Sequence, residues 1–179
     1  MKLWLKNPLS ILADNAGGGI LLEGTRIVEV VPSGKQPSSP YDSVFDASRH
    51  VILPGLINLH HHFYQTLTRV FPKALNKELF PWLKTLYPIW ARLTPGAMRI
   101  GTRLALTELL LSGCATASDH HYVFPGGLEN AIDLQVEEAK ALGIRVVLCR
   151  GSMDLSQKDG GLPLDSVVQT CDEILADSE

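Results

Sequence analysis

The residues best equipped for chemistry are three consecutive histidines, His60-His61-His62, which close the run Pro54-Gly55-Leu56-Ile57-Asn58-Leu59. Leu56 to Leu59 is short and apolar, the pattern of a buried parallel strand. Side chains alternate along a strand, so His60 and His62 are expected on one side and His61 on the other. Two imidazoles converging in this way suit a zinc or iron ion, which takes neutral nitrogen ligands at about 2.0–2.1 Å and draws its remaining ligands from other strands. Taken alone, a His-x-His pair also reads as a solvated polar loop; its position at the C-terminal end of a strand, where parallel barrels carry their active sites, favours the metal.

The elements that must hold these histidines are legible as repeats. Lys2 to Leu5 alternates as a strand, and Ile20 to Val31 carries two apolar runs around Glu23-Gly24-Thr25, the form of a hairpin. Pro32 to Pro40 is an exposed loop before an apolar strand at Val51 to Leu53. Thr94-Pro95 gives an N-cap and first-turn proline for a helix reaching Ser112, closed by Gly113, and Cys114 to Ser118 is the next strand. A second helix is expected over Leu128–Leu142, with Leu128, Ile132, Val136 and Ala139 on one face and Gly143 as its cap, then a strand over Ile144 to Cys149. Val167, Val168, Cys171, Ile174 and Leu175 predict a third helix over Asp165 to Leu175. The capping glycines lie thirty residues apart and each leads into a strand, the spacing of βα units with right-handed crossovers. The expected fold is therefore α/β with a parallel sheet, open or closed into a barrel. No glycine-rich phosphate loop follows a strand, which disfavours a flavodoxin-like domain.

Composition narrows the function. Of 179 residues 45% are apolar and 20% charged, which suits a packed globular protein. The net charge is −3 with signs interspersed, so no basic stripe is available to nucleic acid. No apolar stretch approaches the roughly 18 residues of a membrane span, and the N-terminus lacks a signal-peptide pattern, so a cytoplasmic protein without a membrane partner is expected. Cys114, Cys149 and Cys171 include no Cys-x-x-Cys pair and read as reduced core residues, neither a disulfide framework nor a thiolate metal site.

Pro54 to His62 resembles the first-strand signature of the amidohydrolase superfamily, in which Pro-Gly, apolar or Asn/Asp positions and His-x-His follow in order. The resemblance implies the N-terminal part of a (β/α)8 barrel, residues 54–179 giving its first three βα units, preceded by strands of a small β-sandwich over residues 1–53. It also implies one zinc per subunit, held in part by His60 and His62. Gln65, in the spacing His60-x-His62-x-x-Gln65, is similar to a purine-contacting glutamine of the superfamily's deaminases. An amide offers a donor and an acceptor on one plane and can read a ring edge; an exposed loop glutamine is the plainer alternative. The stretches His61 to Arg69, Ser112 to His120 and Arg150 to Met153 look like those of 8-oxoguanine deaminases and hydroxyatrazine-type ethylaminohydrolases. Gly160-Gly161-Leu162-Pro163 fits the same group, although Leu164 stands where a second proline is expected.

From this resemblance the expected reaction is zinc-dependent hydrolytic deamination of a purine-like ring, 8-oxoguanine to urate plus ammonia. A triazine chlorohydrolase or aminohydrolase, or a non-catalytic truncated product, are the competing readings. The remaining ligands and the proton shuttle belong, in the family, to later strands, so no catalytic residue is assigned here. A barrel needs on the order of 250 residues, so the sequence is expected to be a truncated portion, inactive alone. Asp119 and His120 are expected as substrate-binding pocket wall or, equally, as loop-shaping groups; Arg150 is expected in a structural ion pair. Phe63 to Leu93, read as a loop, holds seven of the twelve aromatics and suits either a lid for a flat small-molecule substrate or a segment packed on itself. Family resemblance also admits a homo-oligomer.

Overall fold

A computed structural model describes residues 1–178, and the chain divides into two compact units, Met1–Pro54 and Gly55–Glu179. The first unit contains β1 (Lys2–Lys6), β2 (Ser10–Ile11), β3 (Gly19–Glu23), β4 (Arg26–Val31), β5 (Ser43–Asp46) and β6 (Val51–Ile52). Its larger sheet has the order β4-β3-β1-β5: β3 lies antiparallel to both β1 and β4, while β5 runs parallel to β1. β3 and β4 form the expected hairpin about Gly24 and Thr25. Alternation sends Trp4, Leu21 and Val31 into a common core, and the indole of Trp4 donates to the Gly18 carbonyl at 3.0 Å. The strands at Ser10–Ile11 and Ser43–Asp46 were not expected, being too short to show a period.

The second unit contains β7 (Leu56–Asn58), α1 (Leu79–Trp90), α2 (Pro95–Leu111), β8 (Cys114–His121), α3 (Ala131–Leu142), β9 (Arg145–Arg150) and α4 (Cys171–Ser178). β7, β8 and β9 form one parallel sheet in that order, the consequence of helical crossovers between consecutive strands. The described residues thus hold three strands of a mixed α/β domain.

Helix α2 begins as expected, with the Thr94 hydroxyl accepting from the Ala97 amide. Its buried positions Met98, Gly101, Thr102, Ala105 and Leu106 follow the 3.6-residue period. Packing at Gly101 is close, since a Cβ there would sit 3.3 Å from the Leu67 side chain and 3.4 Å from the Tyr64 backbone. That close approach seats the short 3-10 segment Phe63–Thr68 against the helix.

Four expectations need correction. β7 is parallel but not buried: Leu56, Ile57 and Leu59 are 57%, 65% and 80% exposed, because β7 is an edge strand paired on one side only. The stretch from Phe63 to Leu93 is no loop, since two 3-10 turns and helix α1 occupy most of it. Helix α3 starts at Ala131, and its buried stripe is Ala131, Leu134, Gln135, Glu138 and Ala139. Its two polar members meet partners on neighbouring elements, Glu138 with Arg99 and Arg103 on α2 and Gln135 through its Nε2 with Asp119 on β8, while Gln135 Oε1 stays without a partner, so burial does not follow hydropathy there. Finally, Asp165–Val167 is a separate 3-10 turn, Val168 is extended, and α4 starts at Cys171. The cause is a reciprocal cap in which the Thr170 hydroxyl accepts from the Glu173 amide while the Glu173 carboxylate accepts from Thr170.

Candidate active site

Strand β7 ends at Asn58, whose side-chain oxygen accepts from the His60 backbone amide at 3.1 Å and turns the chain out of the sheet. The three histidines therefore lie beyond the strand, and its alternation does not govern them. His60 and His62 are brought together, their rings 5.2 Å apart and nearly perpendicular. His61, expected on the opposite side, lines the same cavity as both.

His62 is oriented by the tip of β8. Its Nδ1 lies 2.7 Å from the His120 carbonyl oxygen, and a carbonyl only accepts, so Nδ1 carries the proton. The His120 amide in turn donates to the His61 carbonyl at 3.0 Å. Fixing the proton on Nδ1 leaves the His62 Nε2 lone pair free, the arrangement in which a metal-binding imidazole is held by a backbone carbonyl. Burial lowers the His62 pKa below its usual 6.5, keeping the ring neutral near pH 7. The residues present therefore fit a metal as two nitrogen ligands. No group of three or more His, Cys, Asp or Glu that could hold an ion occurs among the described residues.

Phe63 follows as an anchor, wholly buried among Ala105, Leu106, Ala117 and Ala139. Its backbone amide donates to Asp119 Oδ1 at 2.6 Å, and Gln135 donates to Asp119 Oδ2 at 2.6 Å. Asp119 is 0% exposed and lies behind the histidine segment rather than in a cavity wall. Burial raises its pKa to about 6, against the lowering effect of the Phe63 amide and Gln135. Of the two readings of Asp119, its surroundings correspond to the loop-shaping one. His120 has an exposed side chain and does not line the cavity.

Gln65 does line it. The cavity, about 450 Å³, is bounded by His60, His61, His62, Gln65, Arg69, Phe71 and Trp82 among others. Phe71 and Trp82 belong to the aromatic segment read as a lid or a self-packed stretch, whereas Arg69 was not singled out as a pocket group from sequence, its only signal being proximity to the histidines. Arg69 pairs with Glu108 at 2.6 Å. The aromatic segment packs largely on itself: Tyr64, Tyr87 and Trp90 are buried, with Tyr64 and Trp82 edge-on to Trp90 at 5.2 and 5.4 Å. Burial, joined by Tyr122, holds the Tyr64 phenol well above its ordinary pKa of 10.0.

His121, at the end of β8, points into this aromatic core. It is 0% exposed between Tyr64 and Phe124, and neither ring nitrogen makes a hydrogen bond of normal geometry. Burial pulls its pKa down to about 4, the Val123 backbone offsetting part of the effect. Arg150 forms the expected ion pair: it meets Asp177 at 2.7 Å, donates to Gln169 at 2.6 Å and lies 4.3 Å over the Phe124 ring. No described helix is long and apolar enough to cross a membrane.

Comparison with known proteins agrees with this geometry. The amidohydrolase family pattern matches residues 51–178. The chain is 59% identical to 8-oxoguanine deaminase of Pseudomonas aeruginosa, over 99% of its own length and 40% of the relative's. It is 33% identical to hydroxydechloroatrazine ethylaminohydrolase of Pseudomonas sp. strain ADP, over 70% of this chain and 30% of that one. Among solved structures it resembles atrazine chlorohydrolase of Arthrobacter aurescens TC1, crystallised with zinc, at a TM-score of 0.81 and 28% identity, covering 98% of this chain and 41% of that one. The chain thus spans about two fifths or less of the length of these proteins. With the family pattern running through the histidine segment, the parallel sheet and its helices alike, this chain belongs to the amidohydrolase family.

Proposed function

We propose that this chain contributes the first part of the active site of a zinc-dependent aminohydrolase acting on a purine-like heteroaromatic ring, with 8-oxoguanine plus water giving urate plus ammonia. The observation that carries this reading is the meeting of His60, His62 and Gln65 in one cavity walled by Phe71 and Trp82. His60 and His62 would hold the zinc, one ion per subunit. When bound, zinc supplies a hydroxide by lowering the pKa of its water toward ~7. The rest falls to side chains: Gln65 meets the ring edge, Phe71 and Trp82 offer faces to a flat ligand, and Asp119 and the His120 backbone hold the histidine segment in place.

Two histidines leave a zinc ion short of ligands and bind it weakly. The other ligands, and the acid or base that moves the proton, come from outside the described residues. We place the activity in the cytoplasm, where the free thiols of Cys114, Cys149 and Cys171 stay reduced. The likeness to atrazine chlorohydrolase supports a second reading, hydrolysis of a chloro- or amino-triazine at the same centre.

The test is ammonia release from 8-oxoguanine, guanine and a hydroxytriazine by the protein carrying this chain, with zinc measured per subunit. Release from 8-oxoguanine supports the first reading, and release from the triazine alone supports the second. Bound zinc with neither activity would refute both.

A further inference from the structure

We propose that Tyr64 is a positioning residue that fixes the Gln65 carboxamide with its oxygen free for a ligand, so that the cavity selects a ring presenting an N–H on the edge it meets. This rests on the reading of the cavity as the seat of a heteroaromatic ring. It assigns a task to the buried aromatic cluster that metal binding leaves unexplained.

A carboxamide is nearly symmetric in shape and opposite in function at its two ends, so a glutamine free to turn reads a donor and an acceptor alike. Gln65 is not free to turn. Its Nε2 donates to the Tyr64 hydroxyl at 3.3 Å, and its Oε1 takes no hydrogen bond among the described residues.

Tyr64 is itself immobile. It is 0% exposed and meets Trp90, His121 and Tyr122 edge-on, at 5.2, 5.3 and 6.1 Å. The backbone of Gln65 is held as firmly: its amide donates to the His62 carbonyl at 2.9 Å and its carbonyl accepts from Thr68 Oγ1 at 3.1 Å. The Trp90 indole donates to that same Thr68 oxygen at 3.2 Å. Trp90 therefore steadies both supports of Gln65, the Thr68 hydroxyl through its N–H and the Tyr64 ring through their perpendicular packing. With one Nε2 hydrogen held by Tyr64, the carboxamide is turned so that its open Oε1 is the acceptor it offers. A ring with a protonated nitrogen on that edge satisfies it, whereas a ring nitrogen bearing only a lone pair faces the oxygen unfavourably, and such mismatches are the strong source of discrimination in a polar site.

The experiment compares binding of urate, whose six-membered ring retains an N–H, with binding of unsubstituted purine, whose six-membered ring carries lone pairs only. Both are titrated by NMR into the wild type, Tyr64→Phe and Gln65→Glu, and the Gln65 side-chain amide is followed in the same spectra. The wild type should prefer urate and show a slowly exchanging Gln65 Nε2 hydrogen. Tyr64→Phe should lose that slow exchange and narrow the preference roughly five- to tenfold, the size of one net hydrogen bond. Gln65→Glu, which presents an oxygen whichever way it turns, should keep the preference, and it decides the matter if Tyr64→Phe fails to fold.

An unchanged preference in Tyr64→Phe, or a lost one in Gln65→Glu, would overturn the proposal. A wild type that binds neither ring, yet whose slowly exchanging Gln65 hydrogen is lost in Tyr64→Phe, would refute the heteroaromatic reading while leaving the hold of Tyr64 on Gln65 intact.

Discussion

Two short polar segments lie beside each other at the ends of neighbouring strands, His60–Gln65 after β7 and Asp119–His121 closing β8. They look alike in sequence and are used in opposite ways. In the first, His60, His62 and Gln65 face a cavity with acceptor atoms left over. In the second, Asp119 and His121 face inward at 0% exposure, one with both oxygens engaged and the other among aromatic rings. The Asp119 carboxylate and the His120 backbone span the two, holding Phe63, His61 and His62. Clustered titratable residues therefore divide into a group that can act on a ligand and a group that braces it, and the division depends on what each strand end is packed against.

The largest expected contrast is in metal binding and turnover. Outer supports of metal sites typically cost 10–100-fold when lost, so His60→Ala or His62→Ala should lower zinc affinity and ammonia release by more than about 100-fold. His120→Ala, which keeps the bracing backbone, should stay within about threefold of wild type. Equal losses in all three variants would erase the distinction between the segments.

Next comes stability. Asp119→Ala strands the Phe63 amide and the Gln135 side chain in the core and should cost about 2–4 kcal/mol in chemical denaturation. Asp119→Asn, still able to accept from Phe63, should cost less than half of that.

The pH dependence separates the two buried groups by sign. Burial lifts the Asp119 pKa from 3.8 to about 6, so its contribution is fully present below 3.8 and is lost as pH rises through 6. His121 is displaced from 6.5 to about 4, so its contribution is present above 6.5 and is lost as pH falls through 4. Between these limits the two slopes oppose each other. In urea titrations across this window His121→Phe should grow less stable as pH rises and Asp119→Asn more stable, each by on the order of 2 kcal/mol. Slopes of the same sign in both variants would contradict the burial of one of them.

The smallest effect lies farthest from the cavity. Thr170→Ala removes the N-cap of α4, whose residues are otherwise unburied, and should cost about 1 kcal/mol with zinc affinity unchanged. Calorimetry and a metal titration on the same sample check both halves of that expectation.

What the sequence made legible follows from periodicity and chemistry local to the chain. Thr94-Pro95, Gly113 and Gly143 mark helix ends whatever surrounds them, and the alternating βα pattern survives in the parallel β7-β8-β9 sheet. What escaped depends on partners distant in sequence. Gln135 and Glu138 are buried because Asp119, Arg99 and Arg103 meet them, which no helical period reveals. Likewise His61 joins the cavity because Asn58 ends β7 one residue before Leu59, a turn that the apolar run conceals. The meeting of His60 and His62 was readable from spacing, while the burial of Asp119 and His121 was not, because strand alternation names two faces without saying which is covered.

The division between acting and bracing histidines is tested most directly by titrating zinc into the isotope-labelled protein and following all the imidazole nitrogens by NMR. The expected result is a zinc-dependent shift of His62 Nε2 and one nitrogen of His60, with His62 Nδ1 keeping its proton and the His121 ring unmoved. A shift at His121, or His62 binding zinc through Nδ1, would contradict it.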